Sequence, residues 1–521
     1  MKSFDAIVVG GGHNGLVAAA VLGKSGRKVL LLEADQELGG AARTHEFAPG
    51  FRVSPVAHLV NRLHPEVVAA LELERHGLDT GPAGGAPSVA LSAGGAPLTL
   101  HGAYGDRLDG ASAAEAEAWA ALRAQLLRYS GILKPFLARR PPALDRPSLA
   151  DGSALGMAAL SLRRLGKEDM RDFLRMLLMN VADVVDEHLT DNRLKGLLAF
   201  DAVLGSHLGP RSPTSLLGLY HRLAGETGGV PGAQFVPRGG LGTLLSSFAS
   251  AAESAGVEIR TAAPVARIAV EKGRAAGVVM ADGEEIRTGA VLSAVNPKTT
   301  FLDLVGPRAL DTGFVRKIGH VRMKGDAAKL HLALDRPPQF PGVAEAELGG
   351  RLVIAPSVDH VERAFNPAKY GEFSPEPVME IVLPSVGDTT LAPQGAAVLS
   401  AVVQYAPYQL KEGWATGKPK LLAAVMAQLE AHAPGIAKLV RHSELLTPAD
   451  IEARFRMPGG HWHHGELQAD QMLMARPVPE AAGYDTPIEA LFLAGAGSHP
   501  GGGISGVPGL NAARRVIATK G

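Results

Sequence analysis

Residues 4–9 (FDAIVV) form a short apolar run, and the pattern predicts a buried strand there. A helix is expected over 14–26 and a second strand over 28–32, ending at Glu33. Residues 113–129 (AAEAEAWAALRAQLLRY) combine good helix formers with a helical period. Within 168–205, DMRDFLRMLLMNVADVVDEHL and NRLKGLLAF read as amphipathic helices with a Met- and Leu-rich face. A helix over 243–255 leads into strands over 257–268 and 274–280. An Asp282-Gly283 turn then leads into 285–287, and a buried strand over 290–295 stops at Asn296-Pro297. Residues 329–334, 378–383 and 398–405 are strand-like, with a helix over 418–432 beside them. A short strand over 490–494 and a helix over 510–519 end the pattern. Residues 81–110 read as a hairpin-containing excursion, and 139–147, with its four prolines, as a loop. No period repeats. Strands alternating with helices indicate an α/β chain.

The first turn carries chemistry. Gly10, Gly12 and Gly15 have the spacing G-x-G-x-x-G between the first strand and its helix. Gly10 permits the tight turn, Gly12 lets a pyrophosphate reach the backbone, and Gly15 lets the helix pack on the sheet. The helix N-terminus offers N–H groups and a positive dipole end to phosphate. Glu33, 18 residues after Gly15, is placed to accept ribose hydroxyls, which favours FAD or NAD over NADP. Glycine-rich turns also arise by chance among 63 glycines, but here strand, helix, second strand and acid fall in register. Residues 238–242 (RGGLG) imitate a second fingerprint, yet no strand precedes them and no ribose acid follows. Near the other end, a strand runs into glycines at 495, 497, 501, 502, 503 and 506, a density that suits close approach of backbone to a ligand.

Composition narrows the chemistry. The chain has 521 residues, enough for two or more domains, and 52 basic residues balance 52 acidic ones. No basic run or stripe points to nucleic acid. There is no cysteine, so dithiol exchange, thiolate catalysis and cysteinyl-flavin links are excluded. No charged-then-apolar leader precedes the first strand, and the longest apolar candidate, 16–32, is broken by Lys24, Arg27 and Lys28. A soluble cytoplasmic protein is expected, with peripheral membrane contact left open.

GGGHNGL at 10–16, LGGAART at 38–44, PRGGLGTL at 237–244, SAVNP at 293–297, HGE at 464–466 and LFLAGAGSHPGGGISGVPG at 491–509 together resemble the phytoene desaturase and amine oxidase superfamily of flavoproteins. Within it the chain resembles the branch named pyridine nucleotide-disulfide oxidoreductase domain-containing protein 2 together with its bacterial homologues, although this chain has no thiols for disulfide chemistry. The resemblance implies a glutathione-reductase-like, Rossmann-type FAD domain that is discontinuous, built from 1–75, 235–300 and 455–521. It implies a mixed-sheet and helical substrate domain from 76–234 and 301–454. Gly39 and Gly40 would run close to the flavin diphosphate. Arg43 would pair with phosphate or lie near the flavin ring, or else be a solvated surface residue. Val265 would meet adenine through its backbone. Gly495, Ala496 and Gly497 would border the ribityl diphosphate, and Gly503 and Ile504 the pyrimidine edge. Many members carry an acid where this chain has Ala496, which leaves backbone groups to do that work.

The resemblance also implies non-covalent FAD and hydride transfer to flavin N5 from a largely apolar small molecule, with O2, a quinone or another acceptor taking the electrons. The Met-rich face of 168–205 would then be either core packing or the wall of a substrate tunnel. His464 and Glu466, in GGHWHHGELQ, would lie on the substrate side. His464 would be a general base, a substrate-orienting group or a structural hydrogen-bonding residue. His58 and His499 are further candidates. The clustered His461, His463 and His464 lack a metal-ligand spacing, so no metal is expected. Rival readings on the same fold are a redox-neutral isomerase, a saturase using reduced flavin, and a non-redox binding protein of the Rab GDP-dissociation inhibitor kind.

Overall fold

The computed structural model describes residues 3–80, 85–142 and 148–519, so part of the 81–110 excursion and of the 139–147 loop lies outside the described residues. The apolar runs at the two ends of the chain meet in one sheet. Strand Ser3–Val9 lies between Val29–Leu32 and Glu285–Ser293, all parallel, and Glu258–Arg260 extends the parallel edge. On its other edge, strand Glu285–Ser293 serves two further neighbours. Residues 285–287 pair antiparallel with Arg274–Met280, and Val291, Leu292 and Ser293 pair parallel with Leu491–Leu493. The two segments expected at 285–287 and 290–295 are therefore one strand, because different neighbours continue its ladder in turn.

The strand expected over 257–268 is two, Glu258–Arg260 and Val265–Glu271. Between them Ala262 adopts φ +51°, its N–H donates to Asp35 O (2.7 Å), and the Ala263 N–H donates to Glu33 O (2.8 Å). The chain leaves the sheet there to close over the end of strand Val29–Leu32. Helices His13–Lys24, Leu241–Ser254 and Val507–Ala518 cover one face of the sheet. The last begins three residues before its expected start, since Pro508 sits in the first turn, where a missing N–H costs no hydrogen bond.

A second sheet of eight strands runs in the order Val440–Leu446, Ala327–Leu334, Ala397–Gln404, Met379–Val382, Arg351–Ile354, Ser88–Ala90, Leu98–Leu100, Leu108–Asp109. It is antiparallel apart from the Arg351–Ile354 and Ser88–Ala90 pair. Helix Trp414–His432 packs on it through Leu421, Val425 and Leu429. Helices Ala113–Ala138, Lys167–Leu177, Val181–His188, Asn192–Val203 and Leu216–Leu223 form a separate apolar cluster with helix Val358–Ala368. The long helix expected from Asp169 onward breaks near residue 179. The Asn180 side chain accepts the Asp183 N–H (2.8 Å) and starts a new helix in place of continuing the old one. Phe173, Met176, Val181 and Val184 are core residues, which answers most of the Met-rich face with packing. Among the described residues no helix is long and apolar enough to cross a membrane.

The first and last helices meet almost backbone to backbone. A Cβ on Gly509 would stand 2.1 Å from Asn14 O and 3.1 Å from Ala18 N. Gly509→Ala is expected to lower stability by about 1–3 kcal/mol through forced separation of the two helices. Denaturant unfolding measures this, and an unchanged midpoint would contradict the contact.

Candidate active site

A cavity of about 450 Å3 lies across the ends of strands Ser3–Val9, Val29–Leu32 and Glu285–Ser293. Gly10, at φ +104°, turns the chain out of the first strand. A Cβ on Gly15 would lie 1.9 Å from Gly10 O, so only glycine allows that approach. Gly12 differs. A Cβ there would meet nothing within 4 Å, and Gly12 lines the cavity. No side chain caps helix His13–Lys24, and His13, Asn14 and Gly15 of its first turn also line the cavity. That arrangement leaves room and donors for phosphate at Gly12.

Glu33 is in the same wall. Its Oε2 accepts the Gly11 N–H (2.6 Å) and its Oε1 the Asp35 N–H (2.9 Å). Val265 lines the cavity beside Ala263 and Pro264. Gly39, Gly40, Ala496, Gly503 and Ile504 line it too, although 39–40 and 503–504 are more than 460 residues apart in sequence. Arg43 is outside the lining. It pairs with Asp35 (3.2 Å) and lies over the Phe455 ring, 5.7 Å from its centroid, so it is neither a free surface residue nor a wall residue. Gly495 and Gly497 are also behind the wall. Their Cβ positions would fall 2.5 Å from Ala294 O and 2.3 Å from Pro297 Cδ, so they serve contact with the 294–297 segment.

The GGHWHHGELQ segment divides. Trp462, His463 and His464 line the cavity, and Glu466 does not. The Glu466 carboxylate is buried and accepts from the Lys324 N–H (3.1 Å), Arg322 Nε (3.2 Å) and Gln468 Nε2 (2.7 Å). It fixes the loop from behind. Arg476, fully buried, donates to the carbonyls of His463, Gly465, Glu466, Gln471, Ala496 and Ser498, and so ties the histidine loop to the C-terminal glycine segment. Burial, aided by Arg476 and His13, pushes the His464 pKa down to about 4. Among the described residues its Nδ1 has no partner, nor do His13 Nε2, Asn14 Oδ1, Arg62 Nε and His463 Nδ1, all buried in wall residues. Buried polar atoms are rarely left so, and their residues all border the cavity. His464 and Ile504 both hold φ +55°. For a β-branched residue such as Ile this is a strained backbone, the kind that collects at binding sites. FAD fits this set: open backbone at Gly12, an acid at the second strand's end, and unpartnered polar atoms along the wall.

Another part of the wall is charged. His58, Arg62, Asp201, His221, Arg222 and Glu380 line it together with Leu59, Ala202, Leu204, Val402 and Trp462. His58 Nε2 meets Glu380 Oε1 (2.9 Å), Lys329 Nζ meets His58 Nδ1, and Arg351 bridges Glu380 and Asp201. Tyr104 also donates to Asp201. Burial would raise the Glu380 pKa, but the Arg351 guanidinium and His58 outweigh it and hold the carboxylate well below its usual range. Burial and Lys329 push His58 down to about 4. Asp201, Arg222 and Glu380 escaped the sequence reading. The available signal was a charge inside an apolar run, as in LLAFDAV and VMEIVL. His499 is buried behind the cavity, with Nε2 against Phe136 O (2.6 Å).

Residues 15–517 match the family described as flavin containing amine oxidoreductase. The chain is 35% identical to the mouse (Mus musculus) pyridine nucleotide-disulfide oxidoreductase domain-containing protein 2, over 99% of this chain and 93% of that protein. It is 28% identical to one component of the limonene dehydrogenase of Castellaniella defragrans, over 100% of this chain and 96% of that one. Among solved structures it superposes on an oxidoreductase from Methanosarcina mazei with a TM-score of 0.60 at 17% identity, covering 99% and 100% of the two chains.

Two outcomes follow from the buried groups. Glu380→Gln removes one of the two carboxylates that Arg351 bridges, leaves the buried network one negative charge short, and should cost about 3–5 kcal/mol of stability in denaturant unfolding. The second concerns pH. His464 titrates near 6.5 when unfolded and at about 4 when folded, so between these values the unfolded chain holds more protons. Stability is therefore lost as pH falls from 6.5 towards 4, and His464 contributes a slope of about 1.4 kcal/mol per pH unit. His464→Asn, which tolerates the same backbone conformation, should flatten unfolding free energy against pH by that amount.

Proposed function

The chain belongs to the flavin-containing amine oxidoreductase family, and from that membership we propose that it binds FAD non-covalently along the Gly10–Glu33 and Gly502–Ile504 walls and dehydrogenates a largely apolar small molecule. The FAD-binding unit would comprise 1–75, 235–300 and 455–521. One observation carries the reading. Gly12 opens onto the same cavity that Glu33, Val265, His464 and Ile504 line. Bound FAD would supply the acceptor for two electrons from a C–C or C–N bond, to be passed on to O2, a quinone or another acceptor.

The protein's part is placement. The first-turn N–H groups of helix His13–Lys24 would hold diphosphate, and Glu33 would take ribose hydroxyls in exchange for its present backbone contacts. Leu59, Leu204, Val402 and Trp462 would hold the substrate's apolar body away from water. At neutral pH His464 is an uncharged imidazole and a weak base, so its free Nδ1 would orient substrate by a hydrogen bond and would not store a proton.

Purified protein should show flavin absorbance, and added FAD should raise its thermal midpoint. Gly12→Ala separates binding from folding. Its Cβ enters open space at φ −71°, so unfolding of the flavin-free protein should shift by less than about 1 kcal/mol. FAD affinity should nevertheless fall at least about tenfold, because the methyl stands where the diphosphate approaches. Unchanged affinity would refute the placement. Substrate should bleach the flavin stoichiometrically without oxygen, and screening carotenoids, retinoids, amines and hydroxy or keto lipids in this way identifies its class.

A further inference from the structure

We propose that the substrate carries an anionic head, a carboxylate in its simplest form, and that Arg62 receives it at the charged part of the cavity wall. The inference rests on the flavoenzyme reading above and names the substrate class for the same site.

Arg62 is 8% exposed and lines the cavity. One Nη faces His221 Nδ1 (2.7 Å) and also donates to His221 O. Its Nε is buried and has no partner among the described residues. No acidic side chain among the described residues holds it, and the charge acting on it is that of another cation, Arg222. A buried guanidinium left in this state is costly, and a ligand anion would remove most of that cost.

The surrounding charges already cancel. Arg222 Nε is 3.4 Å from Asp201 Oδ2, and Arg351 bridges Asp201 and Glu380. These are two cations against two anions. Burial drives Lys329 towards its neutral form and keeps His58, His221, His463 and His464 uncharged. Arg62 cannot follow them. Burial, with Arg222, lowers its pKa only to about 9, so it stays protonated at neutral pH. Among the described residues, the charged part of the wall therefore keeps one positive charge that no carboxylate answers.

Position makes that charge useful. A Cβ on Gly503 would fall 2.8 Å from Arg62 Cδ, so the missing side chain at 503 is what lets the Arg62 stem lie against the Gly503–Ile504 segment. That segment would border the cofactor's reactive ring. Leu204, Val402 and Trp462, in the same cavity, would take the apolar remainder of the molecule. The cofactor's own diphosphate would be served elsewhere, at the first turn of helix His13–Lys24. A planar guanidinium that lines the cavity without an acidic partner among the described residues suits a carboxylate, which has two oxygens to offer.

Decanoate and phenylacetate, each against its amide, test the proposal on FAD-saturated protein through perturbation of the bound flavin's visible spectrum. Trp462 lines the same cavity, so tryptophan fluorescence repeats the titration on flavin-free protein. Absence of flavin in the wild type would sink the flavoenzyme reading while the fluorescence arm still judges the anion site. Wild type should bind each carboxylate at least about tenfold more tightly than its amide, the difference a charge-assisted bond makes. Arg62→Gln should abolish that preference by weakening the carboxylates alone. Arg62→Lys, which keeps the charge without the fork, should retain part of it, and it stands in if the Gln variant does not fold. Equal affinity for acid and amide, no carboxylate binding, or an undiminished preference in the variants would overturn the proposal. The last two results would leave Arg62 as a clamp on the His221 carbonyl.

Discussion

The site depends on backbones that approach more closely than any side chain permits. Strands Ser3–Val9 and Glu285–Ser293 end side by side, and a Cβ on Gly15 or Gly495 would stand 1.9 Å from Gly10 O or 2.5 Å from Ala294 O. Gly497 lies against Pro297, and Gly509 against Asn14 O. Three stretches distant in sequence are thus brought together around residues 294–297. The cavity wall is made where they join, which is why its residues come from both ends and the middle of the chain.

A second demand is electrostatic. The strands carrying Lys329, Arg351 and Glu380 are buried along their length, and Asp201 sits in a buried helix. Charges in such places cost stability unless each is answered. Arg351 answers two carboxylates, and the lysine and histidines are driven towards neutrality. The network holds the second sheet and the helix Asn192–Val203 in fixed relation at the cavity. A rigid polar wall of that kind can select a ligand by charge, whereas an apolar wall selects mainly by shape.

Local signals were legible where one residue type alone satisfies a turn. Gly10, Gly12, Gly15 and Glu33 could be read from spacing, and all four line the cavity. Elements failed where a distant partner intervened. Residues 261–264 leave the sheet because Asp35 O and Glu33 O accept their N–H groups, and nothing in that stretch announces those acceptors. Arg43 and Glu466 had family positions beside the ligand, yet Asp35 holds the first, and Arg322, Gln468 and the Lys324 N–H hold the second. A motif specifies a residue's neighbours in sequence, and a side chain's direction is decided by the charges that fold against it.

The α/β class, the glycine turn after the first strand and the absence of thiol chemistry are legible in the chain without its fold. Each of these follows from residue type and short spacing. Tertiary structure alone decided which glycines face the cavity and which serve packing, since Gly12 and Gly497 look alike until their surroundings are known. It alone decided that Arg62 remains without an acid while Arg222 and Arg351 find theirs. Whether a charge is compensated depends on residues far along the chain, because Coulomb attraction acts through space and the low-dielectric interior strengthens it.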